Sequence, residues 1–305
     1  MNAPAGEAVY GLPPLELAAA GPGAVQLSPR VPGAGKIEDL SDSSLSRLVM
    51  LAPPGTLERR YAMAHAMRAL RPGGELVVLA PRTRGGARLG KELVEFGCQP
   101  HEDARRHHRI CRLARPAARV GVEHAIAAGA PRIVPALGLW SQPGVFSWDR
   151  LDPGTALLLA NASGLAGRGA DLGCGVGLLA RRVLESAAVD ELICADIDRR
   201  AIEAARRNID DHRVRFLHHD VRLGDPALAA LDFVIMNPPF HDAGAEERGL
   251  GLAFISAAAN MLRKGGVCRL VANIALPYEG RLKVEFARAT ILAQTGGYKV
   301  YETVK

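Results

Sequence analysis

The stretch GADLGCGVGLLARRVLES, residues 169–186, and the segment ELICADIDRRAIEAARRNI, residues 191–209, decide how this chain folds. In the first, a short apolar run ends in Asp171, glycines recur at 173, 175 and 177, and an amphipathic pattern starts near Leu178. That order predicts a strand, a turn tight enough to need glycine, and a helix. The second segment repeats the order, with a strand at Leu192 to Ala195, Asp196 at its tip and a helix after it. A third strand, VRFLHHDV, runs to Asp220. Strands alternating with helices build an α/β parallel sheet, and such sheets bind ligands along the carboxyl ends of their strands.

The acids narrow the ligand. Asp196 stands 25 residues after Asp171, the separation expected when a carboxylate at the second strand's tip reaches a ribose hydroxyl. The loop reads G-x-G-x-G, whereas a dinucleotide site reads G-x-G-x-x-G with a helix N-terminus for the pyrophosphate. A carboxylate at the strand end repels a pyrophosphate and suits a cationic amino-acid ligand. S-adenosylmethionine is therefore favoured over NAD, with Asp171, Gly173, Gly175, Gly177, Asp196, Ile197, Asp220, Val221 and Asn237 as the candidate cofactor residues.

A fourth strand, in DFVIMNPPF (232–240), delivers Asn237 to the same edge. Pro238 and Pro239 fix φ near −65° and remove two N–H donors, so the carbonyls around them stay directed into a site. An exocyclic amine there could donate to the Asn237 side-chain oxygen and the Pro238 carbonyl, and Phe240 offers a face on which a planar base can stack. These four residues are the candidate catalytic set, and His241 is a candidate for helping to place the base. The plain alternative is an Asn-Pro turn that only closes the strand.

The chain also repeats itself. RLVMLAPPG (47–55) matches DFVIMNPPF, and ALRPGGELVVLAP (69–81) matches MLRKGGVCRLVAN (261–273). Two related α/β domains are expected. The first copy has Ala52 and Gly55 where the second has Asn237 and Phe240, and no glycine loop precedes it, so it reads as catalytically empty. Its first 40 or so residues are rich in Gly, Pro and Ala and are expected to be irregular. Residues 57–119 hold 14 Arg or Lys against 6 Asp or Glu, in a chain whose net charge is +6. That excess suits a polyanion, and Arg105, Arg106 and Arg109, beside His107 and His108, are candidate phosphate contacts; a solvated basic surface is the bland reading.

Composition excludes other classes. There is no apolar run of the ~18 residues a membrane helix needs, and the first 20 residues carry Glu7 and Glu16 without a basic start, which predicts no membrane partner and a cytoplasmic protein. Five cysteines with no C-x-x-C argue against a disulfide framework or a zinc site and are expected to be reduced and buried.

Taken together, D-L-G-C-G-V-G, A-D-I-D and N-P-P-F resemble a class I methyltransferase acting on an amino group. PGVFSWDRLDPGTALLL (143–159), VANIALPY (271–278) and QTGGYKVYETVK (294–305) narrow the resemblance to the ribosomal RNA small subunit methyltransferase C family, guanine-N2 methyltransferases of 16S rRNA. The resemblance implies two tandem Rossmann-like methyltransferase domains, a degenerate one over 1–118 and a catalytic one over 119–305. It also implies S-adenosylmethionine as cofactor and 16S rRNA or the small ribosomal subunit as partner. It places Phe146 and Leu151 on the wall of a cap over the cofactor or target pocket, with Asp152 and Thr155 near the cofactor, although a plain linker would be equally Pro- and Gly-rich. A monomer is expected, since the spare domain can stand in for a second subunit. Methylation of 23S rRNA, of adenine N6 or of a protein glutamine, and a non-catalytic RNA-binding role, stay open on the residues alone.

Overall fold

The computed structural model describes residues 6–239 and 245–305, and within the helix that begins at residue 245 the first side chain described is that of Leu250. The chain divides into two compact units, residues 1–131 with 142–144, and residues 132–141 with 145–305.

The first unit is built on a six-stranded sheet. Strands β1 (Gly6–Tyr10), β2 (Val25–Leu27) and β3 (Leu45–Leu51) are followed by helix α1 (Thr56–Ala69) and strand β4 (Leu70–Pro81). Then come α2 (Leu89–Glu95), β5 (His101–Arg105), β6 (His108–Ala114) and α3 (Val122–Gly129). The sheet order is β2-β1-β3-β4-β6-β5, with the first four strands parallel and β6 and β5 antiparallel. Central strands β3 and β4 bury both faces, which is why they read as continuous apolar runs.

Two expectations are corrected here. The first 40 residues are not irregular throughout: β1 and β2 pair in parallel at one edge of the sheet. At five and three residues they are too short for a period to show. A domain boundary at 118 also falls early, because α3 lies in the first unit and packs on α1. The contact is close because Gly129 has no side chain: a Cβ there would stand 2.4 Å from that of Tyr61.

The second unit begins with a hairpin, β7 (Arg132–Val134) and β8 (Leu139–Ser141), and helix α4 (Pro153–Ala160). Its main elements follow as β9 (Gly167–Leu172), α5 (Leu178–Leu184), β10 (Val189–Asp196), α6 (Arg199–Asn208), β11 (Val214–His218) and β12 (Leu231–Met236). The last are α7 (Ala245–Met261), β13 (Leu262–Asn273), α8 (Glu279–Glu285), β14 (Arg288–Thr295) and β15 (Tyr298–Val304). The seven-stranded sheet has the order β11-β10-β9-β12-β13-β15-β14. Its first five strands are parallel, and β15 and β14 are antiparallel. One buried cluster (Ile255, Ala258, Leu270, Tyr301) lies under α7 and α8, and another (Leu179, Ile202, Phe233, Val300) packs with α4, α5 and α6.

Set side by side, the two sheet orders match strand for strand, with β1 in the place of β9 and β2 in the place of β10. What the first unit lacks is a partner for β11 and the helices corresponding to α5 and α6: no helix is described between β1 and β2 or between β2 and β3. Turns and irregular chain join β1, β2 and β3 where α5 and α6 stand in the second unit. The other half has been closed from within. Arg59, 1% exposed, forms a two-pronged ion pair with Glu92 (Nε to Oε2 2.7 Å, Nη2 to Oε1 2.6 Å). Its Nη1 also donates to the carbonyls of Pro53 (3.2 Å) and Pro54 (2.7 Å). The first-copy turn APPG thus has its own guanidinium on the carbonyls that correspond to those after Asn237.

Candidate functional site

The carboxyl ends of β11, β10, β9 and β12 are adjacent, so Asp220, Asp196, Asp171 and Asn237 are brought to one edge although 66 positions separate the first and last in sequence. Parallel register sets the details: Asp171 lies between Cys194 on β10 and Ile235 on β12, and is fully buried. One carboxylate oxygen accepts the Ala180 N–H at the start of α5 (3.1 Å); the other has no partner among the described residues. Burial, reinforced by the charge of Asp196, pushes its carboxyl up to about 8.

The glycine loop runs from β9 into α5. Gly177 caps that helix at φ +88°, where a Cβ would also strike Ile209, so glycine is required on both counts. Asp196 grips the loop from the neighbouring strand: one oxygen accepts the Gly175 N–H (2.9 Å) and the other the Asp198 N–H (2.8 Å). Ile197 is half-buried, with its carbonyl 3.0 Å from His218 Nε2, and Val221 is buried. Asp220 is held by Arg222, whose Nε lies at 2.8 Å and Nη2 at 2.5 Å, and this pairing lowers its carboxyl below the usual range.

Sequence reasoning missed the support behind this loop. Asn208, at the end of α6, donates to the Val176 carbonyl in the loop (2.9 Å) and to the Trp140 carbonyl (2.9 Å), and accepts the Trp140 N–H (2.8 Å). One amide therefore ties the β7–β8 hairpin to the glycine loop. Arg207 over the Trp140 ring (4.6 Å) adds a cation–π contact. An asparagine closing a helix is an ordinary sequence feature, and nothing near it in the chain signals a partner 68 residues away.

Asn237 follows β12, with Pro238 buried behind it. Its Nδ2 donates to Thr155 Oγ1 (2.9 Å) and Asp152 Oδ2 (3.1 Å), and its Oδ1 is buried with no partner among the described residues. Asp152 caps α4, accepting the Thr155 N–H at 2.7 Å with Pro153 in the first turn. The D-P-G-T spelling announces that cap. That the same carboxylate meets Asn237 from 85 positions away does not show in the sequence.

The remaining candidates are dispersed. Phe146, 48% exposed, and Leu151, 42% exposed, lie in the segment before α4. Phe240 and His241 fall outside the described residues. Arg105, Arg106 and Arg109 belong to the first unit, on the β5–β6 hairpin. Arg106 pairs with Glu16 (3.0 Å) and Arg109 with Glu102 (3.1 Å). Around that turn, Arg82 and residues 104–109 line a cavity of about 160 Å³. All five cysteines are free and buried.

Comparison with known proteins agrees with this architecture. The family model of the methyltransferase small domain matches residues 136–302. The ribosomal RNA small subunit methyltransferase C of Stutzerimonas stutzeri is 31% identical over 265 residues, covering 83% of this chain and 77% of its own. The protein of the same name from Pseudomonas aeruginosa is 29% identical over 283 residues, covering 90% and 84%. Among solved structures, the 16S rRNA N2 guanine-1207 methyltransferase of T. thermophilus, in complex with AdoMet and guanosine, shares the fold. It covers all of this chain and 90% of its own at a TM-score of 0.77 and 24% identity. The chain belongs to the ribosomal RNA small subunit methyltransferase C family.

Proposed function

We propose that this protein transfers a methyl group from S-adenosylmethionine to the exocyclic N2 of a guanine in 16S rRNA. The observation that carries the reading is the buried Oδ1 of Asn237, an acceptor without a donor among the described residues, just past the end of β12. A buried acceptor left unmade costs about 1–3 kcal/mol, and a donor arriving with the substrate removes that cost. The Pro238 carbonyl is the second acceptor. Holding both amine hydrogens aims the nitrogen lone pair in one direction and localises it, which an aromatic amine needs because its lone pair is otherwise spread into the ring.

The residues present fit the cofactor. Asp171 offers a buried carboxyl oxygen without a partner among the described residues, and a cationic amino group arriving there favours its ionised form. Gly173, Gly175 and Gly177 let a ligand lie on the backbone. Asp196 is placed for the ribose hydroxyls, and Ile197, Asp220 and Val221 for the adenine side. When bound, S-adenosylmethionine supplies an electrophilic methyl on a sulfonium. The chain's own part is to hold that group at the β9 and β10 tips and to orient the amine at the β12 tip, with Phe240, His241 and Phe146 around the base.

The first unit, with no helices around its β1 and β2 ends and its APPG turn filled by Arg59, serves as support and as an RNA-binding surface through Arg105, Arg106 and Arg109. No helix among the described residues is long and apolar enough to cross a membrane, and the reading is of a monomeric cytoplasmic enzyme. The test is Asn237→Ala, assayed on 16S rRNA and on small subunits from a strain lacking the gene. Methyl transfer to guanine N2, followed by nucleoside mass spectrometry, is abolished while calorimetric binding of S-adenosylmethionine survives. Near-normal turnover in that variant refutes the role given to Asn237, and unchanged N2-methylguanine in the deletion strain refutes the substrate.

A further inference from the structure

An asparagine that must accept a hydrogen bond can turn its amide by half a rotation and present a donor instead, and the two forms are nearly isosteric. In this protein the choice is made by α4. A carboxylate oxygen only accepts, so Asp152 Oδ2, 3.1 Å from the Asn237 amide, selects the NH₂ end. The Thr155 hydroxyl hydrogen is directed at the same Asp152 oxygen (3.2 Å), so the face it turns to Asn237 Nδ2 at 2.9 Å is a lone pair. The Thr155 N–H is also spent on Asp152 (2.7 Å). Each donor group in the cluster thereby has an acceptor. Reversing the amide would set its oxygen against a carboxylate oxygen and a hydroxyl lone pair at once, and would leave the NH₂ group where Oδ1 now stands with no partner among the described residues. Asp152 and Thr155 are 9% and 7% exposed, so water offers little relief.

We infer that Asp152 and Thr155 are positioning residues that lock the Asn237 amide with Oδ1 toward the target amine. This deepens the reading of Asn237 as acceptor and rests on it. The helix cap has a second use: the carboxylate that starts α4 also orients a side chain on another element, and the ring of Tyr298 on β15 closes over Gly154 in the same turn, where a Cβ would stand 2.9 Å from it.

The test uses the full-length enzyme with unmodified 16S rRNA or small subunits as substrate, and calorimetric S-adenosylmethionine binding with thermal unfolding as the control for folding. Thr155→Val keeps the shape and removes one acceptor. Its kcat falls about tenfold, the equivalent of ~1.4 kcal/mol for one hydrogen bond, with cofactor affinity unchanged. Thr155→Ser, which keeps the hydroxyl, recovers most of that loss. Added to Asn237→Ala, Thr155→Val costs nothing further, since there is no amide left to orient.

Charge supplies the decisive readout. Asn237→Asp sets two carboxylates face to face, and such a pair shares one proton. Activity is then low at neutral pH and rises, relative to the unmodified protein, as pH is lowered. Asp152→Asn in that background returns a donor to the pair, restores turnover and flattens the profile. A pH profile for Asn237→Asp parallel to that of the unmodified protein, or full additivity of Thr155→Val with Asn237→Ala, overturns the lock. If Asn237→Ala itself keeps its activity, the acceptor reading fails first and the lock with it, so the two failures are told apart.

Discussion

Asp171 makes the second unit pH-sensitive in a direction opposite to most carboxylates. Its folded-state carboxyl is raised from 3.8 to about 8 by burial and then by the Asp196 charge. Between those values the native state keeps a proton that the unfolded chain releases, so stability falls as pH rises, by ~1.36 kcal/mol per pH unit. From pH 6.5 to 8 the loss comes to about 1.5–2 kcal/mol, because the native group itself begins to ionise near the upper limit. Other shifted groups leave that window clear. Glu279 and Asp211, both lowered to about 2, give stability that is complete above about pH 5 and lost only as acid approaches 2. The buried thiols Cys174 and Cys268, raised above 9.0, act only where unfolded thiols ionise, above pH 8. His65, lowered to about 4, works in the opposite sense to Asp171 between about 4 and 6.5, but it lies in the first unit. Both tryptophans, Trp140 and Trp148, belong to the second unit, so indole fluorescence reports that unit's unfolding alone. Urea titrations of the cofactor-free protein at pH 6.5, 7.2 and 8.0 should show the decline, and Asp171→Asn should remove it. S-adenosylmethionine binding should release close to one proton at pH 7, read from binding enthalpies in two buffers. A flat profile in the unmodified protein, or the same slope in Asp171→Asn, refutes the argument.

Three further outcomes are expected. Arg59→Met strands Glu92 and two prolyl carbonyls in the core of the first unit and costs about 3–5 kcal/mol, while adding Glu92→Leu recovers most of it; far-UV circular dichroism follows that unit, which indole fluorescence does not see. Gly169→Ala drives a methyl to 2.2 Å from the Phe233 ring between β9 and β12, costs about 1–3 kcal/mol through overpacking and weakens S-adenosylmethionine binding by displacing Asp171. Reversing the charge of Arg105, Arg106 and Arg109 weakens binding to 16S rRNA and flattens its dependence on salt; an unchanged salt slope counts against that surface.

The two-domain α/β organisation is legible because both units repeat one local order, an apolar strand ending at two prolines, a helix, a Gly-Gly turn and a second apolar strand. APPG in the first copy stands where NPPF stands in the second, with Ala52 and Gly55 in the places of Asn237 and Phe240, which is why the first unit reads as catalytically empty from sequence. What stayed hidden were the short strands β1 and β2, whose stability comes from pairing with β3 and whose few residues carry no period. Helix α3 does not show in the sequence either, because its eight residues are too few for a sustained period and only its packing on α1, with Gly129 against Tyr61, gives it a place.

At the site the division is sharper. The sequence by itself determined which residue types stand at the strand ends, since a loop of glycines and an asparagine before two prolines are local necessities of backbone shape and hydrogen-bonding capacity. Only the tertiary structure decided what those side chains meet. It turned Asp152 and Thr155 from the start of a helix into partners of Asn237, tied Asn208 to the glycine loop, and left one oxygen of Asp171 and one of Asn237 buried without a donor among the described residues. The physical reason is that contacts across 30 to 85 positions depend on strand order and register, which are set by packing the whole sheet at once.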